Sequence, residues 1–151
     1  MAVKPIPDGY HSVTPYLIVD GAARALEFYR QAFGAEETFR MPGPDGKIGH
    51  AEFRIGNSMV MIADENREFR SPKALGGSPI SLMIYLEDVD KVFAQAVKAG
   101  ASVERPLANQ FYGDRTGGLT DPFGHLWYLA QHVEDVPPEE MARRAKEAGR
   151  A

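Results

Sequence analysis

One pattern of elements occurs twice in this chain, and no single motif restricts the fold as much. The junction Val19-Asp20 followed by Arg24-Ala25-Leu26 is matched 67 residues later by Leu86-Glu87 followed by Lys91-Val92-Phe93, and Gly34-Ala35 is matched by Gly100-Ala101 at an offset of 66. Self-similarity at a fixed period marks a repeated supersecondary unit. In the first copy, Ser12 to Val19 reads as a strand, with Pro15 tolerable near an edge or a bulge. Ala22, Ala25, Leu26, Phe28, Tyr29 and Phe33 then share one stripe of a helix, with Asp20 as its N-cap and Gly34 just past its end. Strands are predicted over 35–41, 48–55 and 59–63, the first two joined by the turn Pro42-Gly-Pro-Asp-Gly46. The second copy has a strand at 80–86, a helix at 89–99 capped by Asp88 and closed by Gly100, and strands near 101–107, 111–120 and 126–132. Each copy is a β-α-β-β-β unit.

The flanks differ from the repeat. Residues 1–10, with Pro5, Pro7 and Gly9, form an N-terminal arm; residues 11–136 form a single domain with modules near 11–66 and 79–136; and a linker covers 67–78. A C-terminal helix falls within 137–151. It opens on Pro137-Pro138-Glu-Glu and carries Arg143, Arg144 and Lys146 later, as the helix dipole favours, and it has too few large apolar residues for a core position. Charge narrows the partners: 17 Lys and Arg against 21 Asp and Glu give a net charge of −4, which argues against nucleic acid. The chain has no cysteine, which excludes a disulfide framework, a thiolate nucleophile and a Cys-ligated zinc site. There is no signal-peptide pattern, and no apolar run approaches the roughly 20 residues that span a bilayer. A cytoplasmic protein with no membrane partner is expected.

The richest local signal is Gly113 to His132. A loop of glycine and charge leads to the turn Asp121-Pro-Phe-Gly124, where Pro122 presets φ and Gly124 can adopt a positive φ, and an apolar strand follows. Alternation along that strand puts Trp127 and Leu129 on one face and Leu126, Tyr128 and Ala130 on the other. The same rule puts His50, Glu52 and Arg54 opposite Ala51, Phe53 and Ile55. His125 reads as support for the turn and His132 as an exposed strand-end residue.

The duplicated order, together with Thr14-Pro-Tyr-Leu-Ile-Val-Asp20, the helix end Phe28-Tyr29 to Phe33-Gly34-Ala35 and Asp121-Pro-Phe-Gly-His-Leu-Trp127, resembles the vicinal oxygen chelate superfamily of glyoxalase I, bleomycin-resistance proteins and extradiol dioxygenases. Gly113-Asp-Arg115 and Gln131-His132-Val-Glu-Asp135 look most like its PhnB-like group. The resemblance covers residues 10–135. It implies an α+β fold of two tandem βαβββ modules, cup-shaped mixed sheets with helices on the convex face, a small-molecule ligand on the concave face, and a homodimer. It does not choose a reaction, because one scaffold hosts many.

In enzymes of this kind a divalent metal, held by His and Glu side chains, polarises adjacent oxygens of the substrate. Carried onto this chain, the usual first-strand histidine falls on Thr14, its counterpart in the second module on Ser81, and the usual last-strand glutamate on Tyr128. None is a good metal ligand. The resemblance therefore implies a binding protein without metal or other cofactor that sequesters a small aromatic or polar molecule in the cup. Its candidate ligand-binding residues are Thr14, Tyr16, His50 and Glu52 in the first module and Ser81, Met83, Arg115 and Tyr128 in the second, with no catalytic residue assigned. Arg115 suits an anionic group or, alternatively, a loop ion pair with Asp114 or Asp121. The competing reading is a metal-dependent lyase, isomerase or dioxygenase with one divalent ion on His11, His50 and Glu52, a spacing that is no recognised ligand signature.

Overall fold

The computed structural model describes residues 2–149. Met1 of the arm and Arg150 and Ala151 of the C-terminal segment lie outside the described residues. The first module runs β1 (Tyr16–Val19), α1 (Ala22–Phe33), β2 (Glu36–Pro42), β3 (Ile48–Ile55) and β4 (Ser58–Asp64), and a short α2 (Pro72–Leu75) interrupts the connection. The second runs β5 (Ser81–Tyr85), α3 (Val89–Ala99), β6 (Ser102–Asn109), β7 (Asp114–Thr120) and β8 (Leu126–His132), and α4 (Pro138–Glu147) closes the chain. Each module makes one four-stranded mixed sheet, ordered β1-β4-β3-β2 and β5-β8-β7-β6, with the outermost pair β1–β4 or β5–β8 parallel. The duplication is thus an α+β fold of two tandem modules, as the sequence implied.

Two strand starts move furthest, each for a backbone reason. Pro15 has no N–H to give a ladder, so β1 begins at Tyr16; the Pro15 carbonyl still accepts from Met61 N–H at 2.9 Å. In the second module, Gly113 takes φ 101°, in the left-handed region, and its N–H closes a turn on the Gln110 carbonyl, so β7 starts at Asp114 rather than 111. Asp20 is not the cap of α1. Gly21 holds the cap position at φ 104°, and the orphan N–H groups of Gly21 and Ala22 donate to Asp64 Oδ1 at 2.8 and 2.9 Å. Asp64 Oδ2 accepts from Ile48 N–H at 2.8 Å, so one carboxylate joins the helix start to the ends of β4 and β3. Asp88 does cap α3, accepting from Lys91 N–H.

Alternate residues of β1, β3 and β4 pack inward: Leu17, Val19, Ala51, Phe53, Val60 and Ile62 are buried. In the second sheet Leu119, Trp127 and Leu129 do the same. Helix α1 lies against both inward faces. Tyr29 stacks on Phe53 at 5.3 Å and meets Trp127 at 5.3 Å, while Phe33 lies 4.9 Å from Trp127. The modules therefore share one core, and the other face of each sheet turns away from it.

Candidate functional site on the open sheet faces

The open face of the first sheet is set by the register of four strands. Tyr16 lies beside Met61, Met61 beside Glu52 and Glu52 beside Phe39, with His50 one pleat along next to Met41. On this surface a chain of hydrogen bonds runs from one tyrosine to another. Glu52 Oε2 meets His50 Nε2 at 2.7 Å; His50 Nδ1 meets the Tyr16 hydroxyl at 2.7 Å; and the Tyr10 hydroxyl donates to Glu52 Oε1. An ionised carboxylate only accepts, so Nε2 carries the proton and Nδ1, in the neutral ring, accepts from Tyr16. Burial pushes the Tyr16 phenol up, which keeps it a donor. Arg54, on the same face, pairs outward with Glu36.

Two concavities flank this chain. One, about 480 Å³, is lined by Tyr16, Ile18, Gly49, Ala63, Asn66 and Phe69. The other, about 430 Å³, lies between the N-terminal arm and the sheet, with Tyr10, Phe39, Glu52, Arg54 and Met59 in its walls. Both are large enough for a small organic molecule. A third, about 440 Å³, opens on the core side between the modules, against Phe33, Ile55, Leu82 and Trp127, away from the polar chain.

The second sheet repeats the theme with other residues. Ser81, Met83 and Tyr85 are exposed on β5, and Tyr128 stands on β8 between Met83 and Gly118. Gly118 is small for a reason: a Cβ there would lie 2.8 Å from the Tyr128 ring. At one end, buried Asp114 accepts from the Tyr85 hydroxyl at 2.8 Å and contacts His132 Nδ1 at 2.7 Å, while His132 Nε2 meets Asp135 at 2.7 Å. The hydrogen bond to Asp114, then the one to Asp135, raises the His132 imidazole above its ordinary value. The hydrogen bond to Asp114 raises the Tyr85 phenol.

The structure brings Tyr16, His50 and Glu52 together and puts Ser81, Met83 and Tyr128 on the matching face of the other sheet. Thr14 is not on a strand; it donates to the His11 carbonyl in the loop before β1. Arg115 faces α3 and is held bidentately by Asp90 at 2.8 and 2.9 Å, with Asn109 beside it, so its partner is neither Asp114 nor Asp121 and its fork is already filled. His11 binds the Asn57 carbonyl at the β3–β4 turn. His50 lies five residues before the end of β3, about 17 Å away at strand rise. The set His11, His50 and Glu52 is therefore not assembled, both His50 ring nitrogens already have partners, and among the described residues no three His, Asp or Glu side chains converge as metal ligands. The donor set does not fit the divalent ion that the fold implies. Tyr10, Tyr85 and Asp114 were not among the predicted site residues. His125 does more than support its turn: its Nε2 meets the Ile18 carbonyl at 3.0 Å, joining β8 to β1.

Duplicated β-α-β-β-β modules, each with one sheet face on a common core and the other open, define the scaffold class. The sequence pattern of the Glyoxalase/Bleomycin resistance protein/Dioxygenase superfamily matches residues 9–129, and the chain belongs to that superfamily. It is 43% identical over 135 residues to an uncharacterized protein of Mycobacterium bovis, a match covering 86% of this chain and 89% of that one. Among solved structures it is similar to TioX from Micromonospora sp. ML1, at 25% identity and a TM-score of 0.65, covering 84% of this chain and 100% of that one. The PhnB protein of Bacillus cereus, a putative 3-demethylubiquinone-9 3-methyltransferase, shares the fold at 21% identity and a TM-score of 0.62, over 80% of this chain and 99% of that one. No helix among the described residues is long and apolar enough to cross a membrane.

Proposed function

We propose that this protein binds a small aromatic or polar molecule on its open sheet faces without a metal ion. The observation that carries this reading is the Tyr16–His50–Glu52 chain. It sets one carboxylate, one imidazole and one phenol beside an apolar floor of Ile18, Met61 and Ala63, and it leaves His50 no free lone pair for a metal. A few oriented polar groups over an apolar floor suit a flat ligand with a polar edge. Thr14 and Arg115 have no part in the site. Ser81, Met83 and Tyr128 form the opposing wall.

That wall comes from a second copy of the chain. The two open faces of one chain turn away from the shared core, β1 and β5 are both edge strands, and Ile80, Met83 and Tyr85 are 66%, 50% and 61% exposed. Exposed edges beside apolar side chains favour association. The test is a thermal-shift screen of flat aromatic compounds on untagged protein in excess chelator, repeated on His50→Ala. Stabilisation of the parent protein that chelator does not reduce and His50→Ala loses is expected. Stoichiometric bound metal, with ligand binding abolished by chelator, would overturn the reading.

A further inference from the structure

Two phenols of this chain converge on one carboxylate–imidazole pair, yet they are held very differently. Tyr16 belongs to β1, where its strand is laddered to β4. Tyr10 belongs to the arm. Residues 2–9 are all exposed, and the arm's other hydrogen bonds, Lys4 to Asp8 and Tyr10 N–H to the Pro7 carbonyl, stay within the arm. Among the described residues, the bond from the Tyr10 hydroxyl to Glu52 Oε1 is therefore the hydrogen bond that ties the arm to the sheet, and the next one along the chain is His11 on Asn57. Gly9, beside Tyr10, takes φ 83° and has open space at its Cβ position, with nothing within 4 Å.

We propose that Tyr10 is the built-in occupant of a phenol-binding subsite, and that a phenolic ligand takes its place by donating its hydroxyl to Glu52. The inference rests on the open-face binding role and adds the chemical class of the ligand and the arm as its competitor. The concavity beside Tyr10 is walled by the flat or pliable side chains Phe39 and Met59 and by Arg54, surfaces that take an aromatic ring. Glu52 also accepts from His50 through its other oxygen, so the carboxylate is oriented before any ligand arrives. A ligand must compete with an intramolecular phenol, and its apparent affinity falls by the fraction of time Tyr10 leaves Glu52 free.

The experiment uses 2-naphthol and its methyl ether, 2-methoxynaphthalene, titrated into the full chain, into Tyr10→Ala and into Tyr10→Ala with Glu52→Gln, with amide chemical shifts as readout. We expect 2-naphthol to shift residues 38–39 and 50–54 and to bind Tyr10→Ala about fivefold to tenfold more tightly than the parent. The ether gains little from Tyr10→Ala, and Glu52→Gln, which keeps a carbonyl acceptor but loses the carboxylate's charge, reduces the advantage of naphthol over ether. Equal naphthol affinity for the parent and Tyr10→Ala, or equal affinity of naphthol and ether for Tyr10→Ala, would overturn the proposal while leaving open-face binding intact. Failure of both compounds to bind any variant also overturns the phenol subsite; the chelator-insensitive screen then decides the broader binding role on its own.

Discussion

Asp121 shows how much one turn residue can carry. It is 4% exposed, and four donors converge on it: the N–H groups of Phe123 and His125 on Oδ1, and the Tyr29 hydroxyl and Trp127 Nε1 on Oδ2, at 2.6 to 3.0 Å. A buried carboxylate is tolerated only when so compensated. Burial, then the charge of Asp121, pushes the Tyr29 phenol well up, so it remains a donor. Because Tyr29 is on α1 and Asp121 begins the turn into β8, this cluster locks the two modules at their common core. Asp121→Ala strands these buried donors, and we expect it to cost about 3 kcal/mol of unfolding free energy, read as a lower denaturation midpoint in urea. Asp121→Asn, which keeps an acceptor, should cost clearly less. The turn itself was legible from Asp121-Pro-Phe-Gly124, and Gly124 does take φ 93°. The load on Asp121 was not, because Tyr29 lies 92 residues away in sequence.

At the scale of elements, period-two alternation made the faces of β3 and β8 readable, since a pleated strand sends successive side chains to opposite sides. His50 and Glu52 emerged on the open face and Trp127 in the core for that reason. What alternation does not encode is which strand lies opposite. Tyr85 on β5, Asp114 on β7 and His132 on β8 form one cluster only because sheet order sets those strands side by side. Arg115 found Asp90 on α3 by the same route, through packing between elements 25 residues apart. The β5–β7–β8 cluster has a pH signature. The folded His132 pKa is raised above the unfolded value of about 6.5, so its contribution to stability is fully present below that pH and is lost as pH rises through the raised value. An NMR titration of His132 should give a midpoint above 6.5 that moves back toward it in Asp114→Asn. A midpoint at or below 6.5 in the parent would count against the cluster.

For the whole molecule, the duplication was legible in the sequence at its offsets of 67 and 66 residues. The sequence could not show that one chain turns its two open faces away from a common core, since that depends on α1 packing against both sheets through Tyr29 and Phe33. It also gave no sign that the arm returns to the first sheet, where Tyr10 reaches Glu52 across 42 residues. The Tyr16–His50–Glu52 surface is the proposed seat of the ligand. The most direct test is amide chemical-shift mapping of the best compound from the chelator-insensitive screen. Shifts are expected to concentrate on β1, β3 and β4 around Tyr16, His50, Glu52 and Met61, joined by Met83 and Tyr128 from the opposing sheet. Shifts confined to Phe33, Ile55, Leu82 and Trp127 would instead place the ligand in the core-side gap between the modules and contradict it.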